Sequence, residues 1–482
     1  MVCMTVGDIV GATRARLAGG ADDVQVRGVA IDSRMVGRGG LFVCFPGERV
    51  DGNDYAVAAM GAGAAAVVMT REPEAEVLAE ARDLDAAVLV AEGGDAEEFM
   101  LRLAGAWRTR NPQWVVVGVT GSVGKTTTKD MLAVALATRY KVHATEGNHN
   151  NLIGLPLTLL LASADDEVVV AEMGMNHAGE LTRLSACGRP TVAVITNVGT
   201  SHIGNLGSRE AIARAKAEIL SSMQPTDAGC GRARSCLVMT SDNDYAALIE
   251  DEYARPRGIE VLSVGADGRC SVRAARVALV GDGRAHVAVT CSDGWRDEVT
   301  LPMPGRHVVS DFLLALAVSW RVGADRTAAC TAMAHMPQTH MRMEIAGGPG
   351  RPRVIDDSYN ASPNSTAAAL DVLASLPCEG RRVAVLGEVA ELGEAAPRLH
   401  GYMGAYAAAK PLDLLVLVGT DDADRMAEAA LTMGFSEDRL ERVRDVDEAI
   451  RVIAPIVDEG DLVLVKASRA ARLDAFVRKV LA

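Results

Sequence analysis

The sequence predicts an α/β protein built as three domains with mostly parallel sheets. Three observations carry this. A chain of 482 residues, at roughly 100–200 residues per domain, makes room for about three. Short apolar runs alternate with helix-length segments along its length, which is the pattern of parallel βαβ units. The texture of that pattern changes near residues 110 and 338, which places the expected domains at 1–110, 111–338 and 339–482.

In the first stretch, apolar runs at 40–45, 65–69 and 86–90 read as strands between Ala-rich helices. Gly61 and Gly63 superficially form a dinucleotide-type glycine pattern. They sit between a helix and a strand, the wrong order, and so read as helix-end glycines. Residues 108–113, with Asn111-Pro112, read as a linker. Bolder strands follow at 115–119, 168–172 and 192–197, each separated by helix-length segments. The Gly, Arg and Asp-rich run 224–235 reads as a surface loop. Residues 272–301 alternate as antiparallel hairpins, with turns at Gly281-Asp282-Gly283 and Asp293-Gly294, and a helix over 310–322 closes the middle domain. Beyond a connection at 337–341, strands at 354–356, 383–387, 414–419 and 462–466 with amphipathic helices between them read as a doubly wound unit.

Composition narrows the function. Lys and Arg number 49 against 63 Asp and Glu, a net charge of −14. General binding to nucleic acid or to an anionic membrane needs a basic surface, so both are excluded as expectations. No apolar run reaches the length of a membrane span, and residues 1–17 lack the apolar core of a secretory signal. The nine cysteines contain no C-x-x-C pair, which fits reduced thiols and a cytoplasmic location.

The strongest local signal is Gly118-Val-Thr-Gly121-Ser122-Val123-Gly124-Lys125-Thr126-Thr127, after a β run and before a helix whose apolar face uses Met131, Leu132, Ala135 and Leu136. Strand, Gly-rich turn and helix is the setting of a phosphate loop. Backbone N–H groups and the helix N-terminus meet phosphate oxygens, Lys125 reaches the β/γ-phosphates, and the Thr126 hydroxyl suits Mg²⁺. Val119 stands where the usual pattern has glycine. Two further strand ends carry polar residues: Glu172 to His177, and Thr196 to His202. Ligands of open parallel sheets bind at C-terminal strand ends, so Thr126, Glu172 and His202 are placed to converge on one Mg-nucleotide. Glu172 is an ordinary Mg²⁺ ligand and His202 a less usual one. Lys216, on a predicted helix over 209–222 with Arg214 and Glu218 at i,i+4 spacing, reads by spacing alone as a surface lysine.

Together the motifs resemble the Mur ligases of peptidoglycan synthesis. They are Thr120 to Thr127, Glu146-Gly-Asn148-His-Asn150-Asn151-Leu-Ile-Gly154, Glu172 to Glu180, Ala215 to Leu220, Pro304-Gly-Arg-His307, Asp356-Asp-Ser-Tyr-Asn-Ala361, Gly387 to Gly393 and Val465-Lys-Ala-Ser-Arg469. Asp32-Ser33-Arg34 and Leu41 to Glu48 extend the resemblance toward the N-terminus. Within the family it is similar to the branch that joins D-alanyl-D-alanine to a UDP-N-acetylmuramoyl-tripeptide, because of the 147–156 and 356–361 segments. The third-residue-adding branch would show a Thr-rich segment and an Asp-Asn-Pro motif in their place.

The resemblance implies an N-terminal domain for the UDP end, a central P-loop ATPase, and a C-terminal Rossmann-like domain that closes over ATP. It implies that Gly121, Ser122, Val123, Gly124, Lys125, Thr126 and Thr127 hold the triphosphate, and that Asp311, Arg342 and Asp357 also reach the nucleotide. Thr126, Glu172 and His202 would bind Mg²⁺, of which two ions are expected, and Lys216 would be carbamylated by CO₂ to serve the second. Ser33 and Arg34 would contact uridine. Asn148, Asn151 and Asn176 would face the muramoyl peptide, and Asn360, Lys466, Ser468 and Arg469 the D-Ala-D-Ala side. Lys125, Glu172, His202, Lys216 and Arg342 form the implied catalytic set, in a monomer acting on small molecules.

Three departures from the family pattern stand out. Relatives carry Asn-x-x-Asn where this chain has Val308-Val-Ser-Asp311, and a carboxylate at 311 can accept from adenine but not donate as an amide does. His340-Met341-Arg342 replaces Pro-Gly-Arg, and Asp51-Gly-Asn53 replaces Asp-Gly-His. The rival readings are another amide ligase of the family, such as the third-residue enzyme, and a catalytically silent nucleotide-binding protein. Diaminopimelate and lysine are both compatible with the sequence as the tripeptide's third residue.

Overall fold

A computed structural model of the chain describes residues 1–47, 50–228 and 233–482. Glu48 of the 41–48 motif, and residues 229–232 of the expected loop with Cys230, lie outside the described residues. The architecture is α/β throughout, as the alternating runs require.

Near the N-terminus a five-stranded sheet runs in the order Arg16–Gly19, Ala87–Val90, Ala66–Met69, Leu41–Val43, Val29–Ala30. Only its first pair is antiparallel. Parallel strands covered on both faces are apolar without alternation, and Val67, Val68, Val88 and Leu89 are all fully buried. Gly61 ends the helix Ala56–Gly61, the role its position before a strand predicts.

The stretch 108–113 is not the free linker its Asn-Pro suggested. Helix Ala96–Arg110 runs into it, and the Arg108 guanidinium donates to the carbonyls of Asn111 at 2.6 Å and Gly188 at 3.2 Å. Phe99, Met100, Leu103, Ala104 and Trp107 form an apolar stripe at helical spacing. The stripe packs against Gly154–Leu161 and Glu180–Gly188, so one core runs from Val2 through Trp107 to Val116 and Leu184. Trp107 meets Trp114 edge-on, with ring centroids 6.2 Å apart.

The central sheet has nine strands, in the order Arg296–Pro304, Arg284–Cys291, Val272–Leu279, Glu260–Gly265, Cys236–Thr240, Val192–Ile195, Val115–Thr120, Val168–Glu172, Val142–Ala144. The hairpins fall where the turn signals placed them, and the other pairings are parallel. Val115–Thr120 lies between Val192–Ile195 and Val168–Glu172, with Thr120 beside Ile195 and Val119 beside Glu172. That register sets three C-terminal strand ends side by side. Helix Val308–Val322 starts slightly earlier than expected, and Arg326–Ala334 follows it.

A six-stranded sheet forms the last part, in the order Glu344–Gly347, Arg353–Asp356, Leu462–Lys466, Arg382–Gly387, Leu414–Val418, Leu440–Val443. All but its first pair are parallel. Along Arg382–Gly387 the side chains alternate between two apolar layers: Val383 and Val385 pack with Phe476, and Ala384 and Leu386 with Leu370. The Thr339 hydroxyl donates to Asp130 Oδ2 at 2.6 Å, tying the connection between the two sheets to the phosphate-loop helix.

Candidate active site

The phosphate loop joins Val115–Thr120 to helix Lys125–Ala137. Gly124 has φ +86°, and a Cβ there would lie 2.4 Å from Asp311 Oδ1, so the position accepts only glycine. The loop is braced from the neighbouring strand end. Asn197 accepts from Val123 N through Oδ1 at 3.0 Å and from Ser122 N through its backbone carbonyl at 3.2 Å. Those two N–H groups are therefore occupied by protein. No side chain caps the helix, which leaves the first-turn N–H groups of Lys125, Thr126 and Thr127 facing an anion-binding position.

Beside the loop, the Thr126 hydroxyl donates to Glu172 Oε2 at 2.9 Å, and Asn150 Nδ2 donates to Oε1 at 2.7 Å. Glu172 is 1% exposed. A hydroxyl and a carboxylate, completed by phosphate oxygens and water, is the donor set Mg²⁺ takes. Among the described residues no three His, Cys, Asp or Glu side chains form a ready-made metal cage, so nucleotide oxygens would have to complete any coordination. The Lys125 ammonium donates to Gly121 O at 2.9 Å. Burial pulls its pKa below the ordinary value, Glu172 opposing and Arg342 reinforcing the effect. Burial likewise holds His202 below its ordinary value, against Glu391, while Lys125 and Lys216 add to the fall.

Lys216 overturns its spacing-based reading as a surface residue. It is 1% exposed, on helix Arg209–Ala217. The predicted Arg214–Glu218 pair is absent: Arg214 bonds Glu210 and Glu252, while Glu218 accepts from Gly179 N and Thr182 N. Burial, then the charge of Lys125, drives the Lys216 pKa well below its ordinary value.

The opposite wall comes from the C-terminal sheet. Arg342 lies over the Tyr359 ring, 4.3 Å from its centroid. Lys466 pairs with Asp357 and donates to Asn360 O at 3.1 Å. The Ser468 hydroxyl donates to Glu388 O at 2.8 Å. Both walls enclose one cavity of about 660 Å³, whose lining includes residues 122–127, Asn148, Glu172, Asn176, His202, Asp311, Arg342, Asp357, Asn360, Lys466, Ser468 and Arg469.

Three family models match this chain: the Mur ligase family catalytic domain over residues 25–96, the Mur ligase middle domain over 119–319, and the Mur ligase glutamate ligase domain over 341–469. The UDP-N-acetylmuramoyl-tripeptide--D-alanyl-D-alanine ligase of Bacillus subtilis is 32% identical, over 100% of this chain and 99% of that protein. The chain belongs to the Mur ligase family. The Escherichia coli ligase of the same name is 30% identical over 99% of this chain and 98% of its own length. Among solved structures, MurF from Acinetobacter baumannii superposes with a TM-score of 0.86 at 27% identity, covering 100% of this chain and 99% of that one. MurF ligase from Thermotoga maritima in complex with ADP gives 0.77 at 26%, covering 94% and 97%.

In this Mur ligase Asp311 has an unusual setting. Its Oδ1 accepts from the Thr128 hydroxyl at 3.0 Å, and its carboxyl packs behind Gly124. Burial pushes its pKa from 3.8 up to about 7, against the Thr128 bond. A protonated Asp311 would carry an O–H that can donate as an amide does, whereas its carboxylate form accepts only. Folding takes up a proton at Asp311 between its unfolded pKa and about 7, so this group destabilises increasingly as pH rises through that window. Asp311→Asn is accordingly expected to raise the melting temperature at pH 8 by several degrees, corresponding to at most about 4 kcal/mol. The gain should shrink as pH falls to 5, and thermal unfolding across that range checks it. A gain independent of pH would contradict the assignment.

Not every expected residue of this Mur ligase meets the cavity: Lys216 is buried and is not part of its lining. Arg34 is 85% exposed and its side chain bonds Asp32; it lies with Ser33 on a short turn of the N-terminal sheet, outside the cavity lining. Asn151 also lies outside the lining: its Oδ1 accepts from Ile153 N and Gly154 N and shapes the start of helix Gly154–Leu161. Its neighbour Asn150 meets Glu172 instead, and nothing in a run of Asn and His says which one turns inward. Sequence reasoning also passed over Tyr359, Asn364 and Glu391, which line the cavity and belong to quoted or adjacent motifs.

Proposed function

We propose that this Mur ligase is an ATP-dependent amide ligase that adds D-alanyl-D-alanine to UDP-N-acetylmuramoyl-tripeptide in the cytoplasm, acting as a monomer. The proposed domains are 1–110 for the UDP end, 111–338 for ATP and 339–482 for closure. One observation carries the reading. A phosphate loop with an adjacent Thr–Glu pair and a second wall bearing Arg342, Lys466 and Arg469 share a single cavity, so a triphosphate and an acceptor amine can be held together. The names of the full-length relatives in Bacillus subtilis and Escherichia coli specify the amine as D-alanyl-D-alanine.

In this reaction the tripeptide's terminal carboxylate attacks the γ-phosphate, giving an acyl phosphate and ADP. The amine of D-Ala-D-Ala then attacks the acyl carbon, loses a proton and expels phosphate. Two anions must meet in the first step, so Lys125, the first-turn N–H groups and Arg342 lower the repulsion. Mg²⁺, when bound, adds charge neutralisation at the phosphate oxygens; Thr126, Glu172 and His202 would hold one ion and carbamylated Lys216 would serve a second. The buried setting of Lys216 and the charge of Lys125 lower its pKa and so favour the neutral amine, the form that attacks CO₂; an N–C bond forms, the nitrogen loses a proton, and the neutral amine becomes an anionic carbamate. Closure of the C-terminal wall excludes water from the acyl phosphate.

ADP release is expected only when UDP-linked tripeptide and D-Ala-D-Ala are both present. Turnover with a UDP-dipeptide and a single diamino acid would instead identify the third-residue enzyme, and no turnover with any pair would favour a silent nucleotide-binding protein.

A further inference from the structure

The turn 202–206, between the strand end carrying Asn197 and the helix carrying Lys216, is gripped by the C-terminal sheet at three successive residues. Ile203 packs against the apolar core of that sheet. Gly204 N donates to Glu391 O at 3.0 Å. The Glu391 carboxylate lies 2.5 Å from His202 Nδ1, a nitrogen that is buried and has no aligned hydrogen bond among the described residues. The approach is backbone to backbone: a Cβ on Gly204 would lie 2.6 Å from Gly393 N, and one on Gly393 2.7 Å from Gly204 Cα. Both residues of the ionic contact have left-handed backbones, His202 at φ +62° and Glu391 at φ +65°. Such conformations are costly for side chains of this size and persist where surrounding contacts over-determine them.

We infer that Glu391 is a positioning residue: carried by the C-terminal domain, it engages His202 Nδ1 on closure and fixes the ring so that Nε2 is the nitrogen offered to the nucleotide's metal ion. A histidine ligand is ordinarily oriented by a carboxylate or carbonyl on its other ring nitrogen. Here that partner comes from a different sheet. The metal site is thus complete only when the domains meet, which ties phosphoryl transfer to closure. Glu391 lines the cavity and is partly exposed, and among the described residues its carboxylate meets His202, so its role runs through His202. The inference rests on the Mg-nucleotide reading above.

The test is Mn²⁺ binding in the presence of adenylyl imidodiphosphate, followed by electron paramagnetic resonance with detection of ¹⁴N coupling. The parent protein should bind Mn²⁺ with nucleotide and show an imidazole nitrogen coupling that His202→Ala removes. Glu391→Ala should weaken Mn²⁺ affinity about tenfold and diminish the coupling, with nucleotide affinity in the absence of metal unchanged. Glu391→Gln, which still accepts from Nδ1–H, should recover much of both and guards against an alanine variant that fails to fold. In a His202→Ala background, Glu391→Ala should cost nothing more. Parent-like affinity and coupling in Glu391→Ala would overturn the inference alone. Mn²⁺ bound with nucleotide but without nitrogen coupling would also overturn it while leaving the nucleotide site standing; no nucleotide-dependent Mn²⁺ binding by the parent would overturn both.

Discussion

Lys216→Ala is expected to cut ADP release by on the order of 10³-fold, the scale on which a preorganised charge contributes at such sites, and added formate or acetate to restore part of the loss. Burial of an unpaired ammonium is unfavourable. Lys216 is buried beside Lys125, and no carboxylate among the described residues pairs with its amine. A lysine buried for packing alone would tolerate alanine at the ordinary cost of lost packing. An amine that becomes a carbamate leaves behind a missing anion, and a small carboxylate fits the space the side chain vacates. Lys216→Arg separates the two further: guanidinium stays cationic and forms no carbamate under these conditions, so that variant should be inactive and resist rescue. Full activity in Lys216→Ala would remove the carbamate from the mechanism.

Gly204→Ala is expected to lower kcat about 100-fold while weakening metal-free nucleotide binding, which rests chiefly on the phosphate loop, by a much smaller factor. The added Cβ meets Gly393 N at 2.6 Å, Glu391 O at 2.8 Å and Leu392 C at 2.9 Å. All three are backbone atoms, which cannot rotate away as a side chain would. The C-terminal sheet must therefore stand off by about an ångström, a displacement that typically costs that factor when reacting groups are misaligned. The phosphate loop is untouched by the substitution, since it is braced by Thr196 and Asn197 within the central sheet. Single-turnover kinetics with equilibrium ATP binding would check the split. Equal losses in both would mean that the turn supports the central domain's own fold.

Most strands were legible because parallel strands buried on both faces leave unbroken runs of Val, Leu and Ala, as at 168–172 and 462–466. Glu344–Gly347 and Leu440–Val443 were among those not read, each being an edge strand of the last sheet with little buried length; Val142–Ala144, Cys236–Thr240 and Glu260–Gly265 of the central sheet were also missed. The phosphate loop could be read because its chemistry is contiguous in the chain. Lys216 could not: helical spacing reports the neighbours on its own helix, whereas its burial comes from strands and loops distant in sequence. The same reasoning separates Asn150 from Asn151, and it explains why 108–113 passed for a linker while Arg108 was locked to Gly188.

The cations of the cavity already hold partners drawn from the protein: Lys466 has Asp357, Lys125 has Gly121 O, and Arg342 rests on Tyr359. Ligand capture is then an exchange reaction, in which each incoming phosphate or carboxylate oxygen displaces a resident acceptor, and binding reports only the difference between the two. A molecule that dislodges a resident group without supplying a matching oxygen leaves a buried charge uncompensated, at a cost of several kcal/mol. Discrimination against truncated substrates is therefore built into the resting protein, because rejection requires no added steric barrier, only the loss of a partner that was already there.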